Sequence, residues 1–182
     1  MHLYTKTYKR KFFKLDMNLS FYLEKLNDSE EYKDFVLKNP DAYICSGFFV
    51  IDFEKSDFQR HLDVYAPSLK KIFSFKLENG VEKVPLESFE DKIPRKLSID
   101  YDFDLEEIEK LIRNRMIEEK IKSKIQKILL SLQNLEGKDV ITATVFVSGL
   151  GMLKVNINPI SNKIISFDKK SFFDILKIIR KK

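Results

Sequence analysis

The sequence predicts an α+β fold made of two repeated helix-plus-antiparallel-meander units with a long connecting helix. Three observations predict it. Residues 67–75 read P-S-L-K-K-I-F-S-F and residues 159–167 read P-I-S-N-K-I-I-S-F, identical at Pro, Lys, Ile, Ser and Phe without a gap. An apolar run precedes each copy, A-Y-I-C-S-G-F-F-V at 42–50 and D-V-I-T-A-T-V-F-V at 139–147, matching at Ile44/Ile141, Phe49/Phe146 and Val50/Val147. A segment of three- and four-residue apolar spacing lies upstream of each run. Self-similarity at a fixed offset is the signature of a repeated supersecondary unit.

Residues 3–15 interleave Tyr4, Thr5, Tyr8, Phe12 and Phe13 with cations and read as a strand. Residues 18–38 read as helix, with Leu19, Tyr22, Leu23, Leu26, Tyr32, Phe35 and Val36 recurring on one side. The polar break Asn27-Asp28-Ser29 splits that helix, and Ser29 or Asp28 caps its second half. Asn39-Pro40 closes it, since the residue before proline is pushed out of helical geometry. Residues 42–53 suit a strand buried on both faces. Strands at 60–65 and 69–77 follow around a proline turn. Asn79-Gly80 predicts a tight hairpin leading to a short strand at 81–86.

Residues 104–135 form the longest helical pattern, capped by Asp104 and carrying Glu106, Glu107 and Glu109 in its first turns. Its apolar stripe slips by about one residue near Asn114–Met116, which implies a bend or a break between two helices. Gly137 reads as the residue that ends it. Strands at 140–148, 152–157 and 163–167 and a closing helix at 170–179 complete the chain. The expected division is a basic N-terminal segment at 1–17, a first unit at 18–86, a linker at 87–103 and a second unit with the C-terminal helix at 104–182.

The 182 residues are 43% hydrophobic and 34% charged, with sixteen Phe, which suits a folded core without staples. A single cysteine, Cys45, excludes a disulfide framework or a cysteine-cluster zinc site. No apolar run is long enough to cross a bilayer, and residues 1–20 lack a signal-peptide hydrophobic region, so the expected location is cytoplasmic and no membrane partner is expected. Abundant Lys and Glu with only three Gln lean towards a thermophile; nine Asn and the excess of Ile and Phe fit an AT-rich genome equally well.

A helix followed by a curved antiparallel meander, with Pro-x₃-Lys-Ile-x-Ser-Phe leading into the third strand, resembles the PepSY and cystatin-like class of small α+β units. The resemblance covers residues 18–86 and 104–167. It implies a long helix packed across an antiparallel sheet. The inhibitory Gln-x-Val-x-Gly loop of true cystatins is missing, so protease inhibition does not follow, and fold does not fix function.

No catalytic, metal or cofactor residues emerge, and no cofactor is expected. Cys45 and His61 are the only thiol and internal imidazole, but Cys45 sits in an apolar run that gives no reason for an activated thiolate. Asp100, Asp102 and Asp104 alternate as if to share a strand face, yet lack the glycine and terminal glutamate of a calcium loop. Ser148-Gly149-Leu150-Gly151 joins two strands with no helix start behind it and reads as a hairpin turn, not a phosphate loop. Glu118 and Glu119 stand among lysines and read as a salt-bridged surface. The basic residues Lys6, Lys9, Arg10, Lys11 and Lys14, interleaved with rings, and Arg180 and Lys181 in the tail are the candidate nucleic-acid contacts, in a chain of net charge +5.

The expected function is therefore a non-enzymatic interaction module that binds another protein or itself. The alternative is a basic nucleic-acid-binding protein using the N-terminal segment and the C-terminal tail.

Overall fold

A computed structural model describes residues 18–55, 58–86, 93–149 and 151–171. Three helices, α1 (Leu19–Asp28), α2 (Glu30–Lys38) and α3 (Leu105–Glu118), accompany eight strands. The strands are β1 (Tyr43–Asp52), β2 (Arg60–Ala66), β3 (Lys71–Lys76), β4 (Glu82–Leu86), β5 (Ile125–Leu135), β6 (Lys138–Val147), β7 (Gly151–Asn158) and β8 (Lys163–Ser171).

Short-range chemistry sets the helix ends. The Asn18 side chain accepts from Phe21 N and starts α1. Ser29 both ends α1 and starts α2, because its N and Oγ donate to Leu26 O while its Oγ accepts from Tyr32 N. Asp104 caps α3 through Glu106 N and Glu107 N. Asp102 accepts from Ser20 N at 3.0 Å, which ties the starts of α1 and α3 together.

All strands join one antiparallel sheet in the order β4-β3-β2-β1-β5-β6-β7-β8. This overturns the expected pair of helix-plus-meander repeats: one continuous sheet dominates the molecule. The β1–β5 seam runs from Ser46↔Gln133 to Asp52↔Lys127 at its centre. The nine-residue match that suggested duplication marks a shared turn, not a shared unit. Pro67 opens the β2–β3 turn and Pro159 the β7–β8 turn; both turns span four residues and end in a left-handed residue, Lys70 and Asn162, each at φ +51°. The two hairpins stand at different places in the strand order. Of the matched apolar pairs, only Phe75 is fully buried; Ile72, Ile164 and Phe167 are partly so.

The long helix is also corrected. α3 ends at Glu118, and residues 125–135 are a strand. Lys120 adopts φ +56°, its N donates to Ile117 O, and Ile121 N donates to Met116 O. That is the Schellman arrangement, with lysine where glycine is usual. Gly137 consequently ends no helix. With Glu136 at φ +53° and Gly137 at φ +88°, it forms a two-residue turn of type I′ sign between β5 and β6. Asn79-Gly80, by contrast, lies in a five-residue connection where only Gly80 has positive φ. Lys170 and Ser171 belong to β8, and the remainder of the expected closing helix, like the strand at 3–15, lies outside the described residues.

The core lies on one face of the sheet. Leu62, Val64 and Phe75 on one side and Leu130, Leu132, Ala143, Val145, Leu153 and Val155 on the other meet Leu26, Phe35, Ile108 and Ile112 of the helices in one cluster. β1 bulges against β2 between Ile44 and Ser46, and its pairing with β5 stops at Ser46. There the segment 93–103 enters: Leu97 N donates to Ile44 O, and Leu97 and Phe103 are buried. Asp139 fixes that segment, accepting from Ser98 N (2.7 Å), Tyr101 Oη (2.8 Å) and Asn134 Nδ2 (2.7 Å).

Candidate interaction face

Strand alternation sends every second side chain to the face opposite the core. No helix among the described residues packs there. The pairing registers define its composition row by row. One row runs Lys76, His61, Phe48, Ser131, Thr142, Asn156, Ser166 across seven strands. Its last three members are linked: Thr142 Oγ1 donates to Asn156 Oδ1 at 2.9 Å, and Asn156 Nδ2 donates to Ser166 Oγ at 3.0 Å. The adjacent row includes Ser46, whose hydroxyl donates to Asp63 Oδ2 at 2.7 Å, and Gln133. Rings cluster on the β1–β2 half, with Tyr43 and Tyr65 5.6 Å apart and Phe48 and His61 6.0 Å apart. His61 Nε2 lies 3.2 Å from Glu78 Oε1.

The face is thus half-buried, hydroxyl- and amide-rich, and aromatic at one side. Side chains of this kind offer donors and acceptors without a large desolvation cost, and rings supply contact area at low entropic cost.

The structure distributes the candidate chemical groups as follows. Cys45 is buried in the β1 bulge, and its Sγ donates to Asp63 O at 3.4 Å, not to His61. Burial, reinforced by the Asp63 carboxylate, pushes the thiol up to about 12, the opposite direction from an activated thiolate. Asp102 and Asp104 serve helix starts. Ser148 holds the β6–β7 turn to the chain before β5, its Oγ accepting from Lys124 N and its N donating to Lys124 O. Glu118 and Glu119 pair with Arg115 at 3.3 and 2.7 Å. No group of three metal-ligating side chains occurs among the described residues. Lys6, Lys9, Arg10, Lys11, Lys14, Arg180 and Lys181 all lie outside the described residues.

The sequence signal for this face was the strict alternation in β6, where Ile141, Ala143 and Val145 are buried and Thr142 and Thr144 are not. The seam with β5, which places Ser131 and Gln133 beside β1, had no such signal because residues 125–135 also carry helical spacing.

The chain matches no protein-family profile and no curated protein. Among solved structures it is similar to one titled "putative lipoprotein (CD1622) from Clostridium difficile 630", with a TM-score of 0.54, 9% identity, and coverage of 78% of this chain and 91% of that one. At that identity the likeness concerns the fold alone. No helix among the described residues is long and apolar enough to cross a membrane.

Proposed function

We propose that the protein is a non-catalytic binding module that engages another protein, or a second copy of itself, through the face of the sheet opposite the helices. One observation supports this above others. The rows from Phe48 to Ser166 form a broad, regular surface of hydroxyl, amide and aromatic side chains with no helix packed on it among the described residues. The three helices all pack on the other face.

The test uses bulky charged substitutions at its centre. Ser131→Arg and Thr142→Arg, on neighbouring central strands, are expected to fold and to lose the partner. Light scattering coupled to size exclusion reads self-association across a concentration series. Crosslinking followed by mass spectrometry, compared between parent and variants, reads a heterologous partner. If both variants assemble and crosslink as the parent does, the face is not the binding surface.

A further inference from the structure

One end of the sheet carries a collar of cations with no assigned role. Lys120, Lys122 and Lys124 alternate in the connection between α3 and β5, all three exposed, while Ile121 between them packs against the core. At the same end the pairings Lys154↔Asp168, Leu153↔Lys169 and Met152↔Lys170 add three more exposed lysines. None of these six lysines forms an ion pair within the described residues. Among the carboxylates nearby, Asp168 stands opposite Lys154 in register, while the others have partners of their own. Asp52 holds Glu54 N, Lys55 N and Lys127, and Glu118 and Glu119 pair with Arg115.

Apolar side chains stand exposed within the same collar. Ile117, at the end of α3, is 73% exposed. Phe53 and Phe146, at 40% and 36%, stand at the corresponding ends of β1 and β6, the Phe53 ring 5.3 Å from the Arg113 guanidinium. The cations come from the α3–β5 connection and both faces of β7–β8, so they ring a sheet end and line no groove. A strand of nucleic acid would need a track of cations along a face with bases stacked on successive rings. Here the aliphatic Ile117 and the end-on arrangement fit a flat surface that is anionic at its headgroups and apolar just beneath them.

We propose that this end of the sheet docks on an anionic lipid bilayer, the lysines reading headgroup charge while Ile117, Phe53 and Phe146 enter the interface. The contact is peripheral. Charge and apolar side chains act as two weak signals together, as reversible surface binding requires. It borders the protein-binding face, which by register carries Phe146, Lys154 and Lys170, while Lys120, Lys122, Lys124 and Ile117 lie outside the strands that build that face.

The test is co-sedimentation of the full chain with vesicles of phosphatidylcholine alone and of phosphatidylcholine with phosphatidylserine. Binding is expected only in the second case, weakening as added salt shortens the screening length. Each lysine near an anionic surface contributes about fivefold, so the K120Q/K122Q/K124Q triple variant is expected to lose on the order of a hundredfold in affinity. The three side chains have no partner within the described residues, so thermal unfolding of the variant should match the parent. A second variant, K154Q/K170Q with β7–β8 pairing intact, should lose on the order of tenfold. Equal binding to both vesicle types, or undiminished binding by the triple variant, overturns the proposal. So does a collar that binds a single-stranded oligonucleotide, with loss in the triple variant, while leaving the vesicles free.

Discussion

Asp139 shows how much a single side chain decides in this molecule. Its carboxylate gathers a backbone N–H and a tyrosine hydroxyl from the segment 93–103 and an amide from β5. Removing it leaves those donors half-buried without a partner, so Asp139→Ala is expected to cost about 2–3 kcal/mol, read by urea denaturation. Tyr101, whose hydroxyl burial and the Asp139 hydrogen bond hold above its ordinary range, should lose less when changed to Phe. Cys45 makes a pH-dependent forecast. Burial raises its folded pKa from an ordinary value near 9 to about 12. The folded state therefore keeps a proton that the unfolded state releases, and this contribution to stability is present below about pH 9 and lost as pH rises towards 12. Native protein should resist a thiol reagent at pH 8 and react fully after denaturation; rapid labelling of the native chain would refute the buried-thiol geometry.

At the scale of elements, the connection from α3 to β5 carries the main lesson. The helix pair α1–α2 was legible because Asn18, Ser29 and Pro40 are strong local signals. The end of α3 was not, because Lys120 occupies a left-handed position that the sequence marks only when glycine holds it. Beyond it, Ile125, Ile128, Leu132 and Leu135 satisfy helical spacing, while Ile128, Leu130 and Leu132 satisfy strand alternation. Pairing with β1 decides between the two, and a partner strand some eighty residues away leaves no trace in a local window. The proline turns misled in the opposite sense: the same four-residue loop chemistry served two unrelated hairpins. Two substitutions test the strand assignment. Ile128→Ala, fully buried, should cost about 2–5 kcal/mol in chemical denaturation. Glu136→Asn should stabilise by about 0.5–1 kcal/mol, since Asn tolerates positive φ ahead of Gly137 in a type I′ turn. A destabilised Glu136→Asn variant would mean the chain there is not a two-residue hairpin.

For the molecule as a whole, one hydrophobic cluster spans both sides of the β1–β5 seam, with helices from each side contributing to it. Phe75 lies in the β1–β4 half and Val155 in the β5–β8 half, and both are fully buried. Unfolding should accordingly be a single transition. Phe75→Ala and Val155→Ala are each expected to lower one common midpoint, seen identically by far-ultraviolet circular dichroism and by tyrosine fluorescence. Two separable transitions, each sensitive to one variant, would show two independent bodies instead. The proposed interaction face belongs to this scale too. Half of it, the Thr142 and Thr144 alternation, stood in the sequence; its continuity across Ser131 depends on the seam and appears only once the halves are joined.

That seam has a kinetic consequence. Six of the seven strand pairings join chain neighbours, and such hairpins close over short loops on microsecond timescales. Only β1–β5 requires residues 53–124 to loop back on themselves, and closure entropy rises with the length of that loop. The encounter that joins the two meanders is therefore expected to limit the rate of folding. Lengthening the chain between β4 and α3 should slow refolding far more than it speeds unfolding.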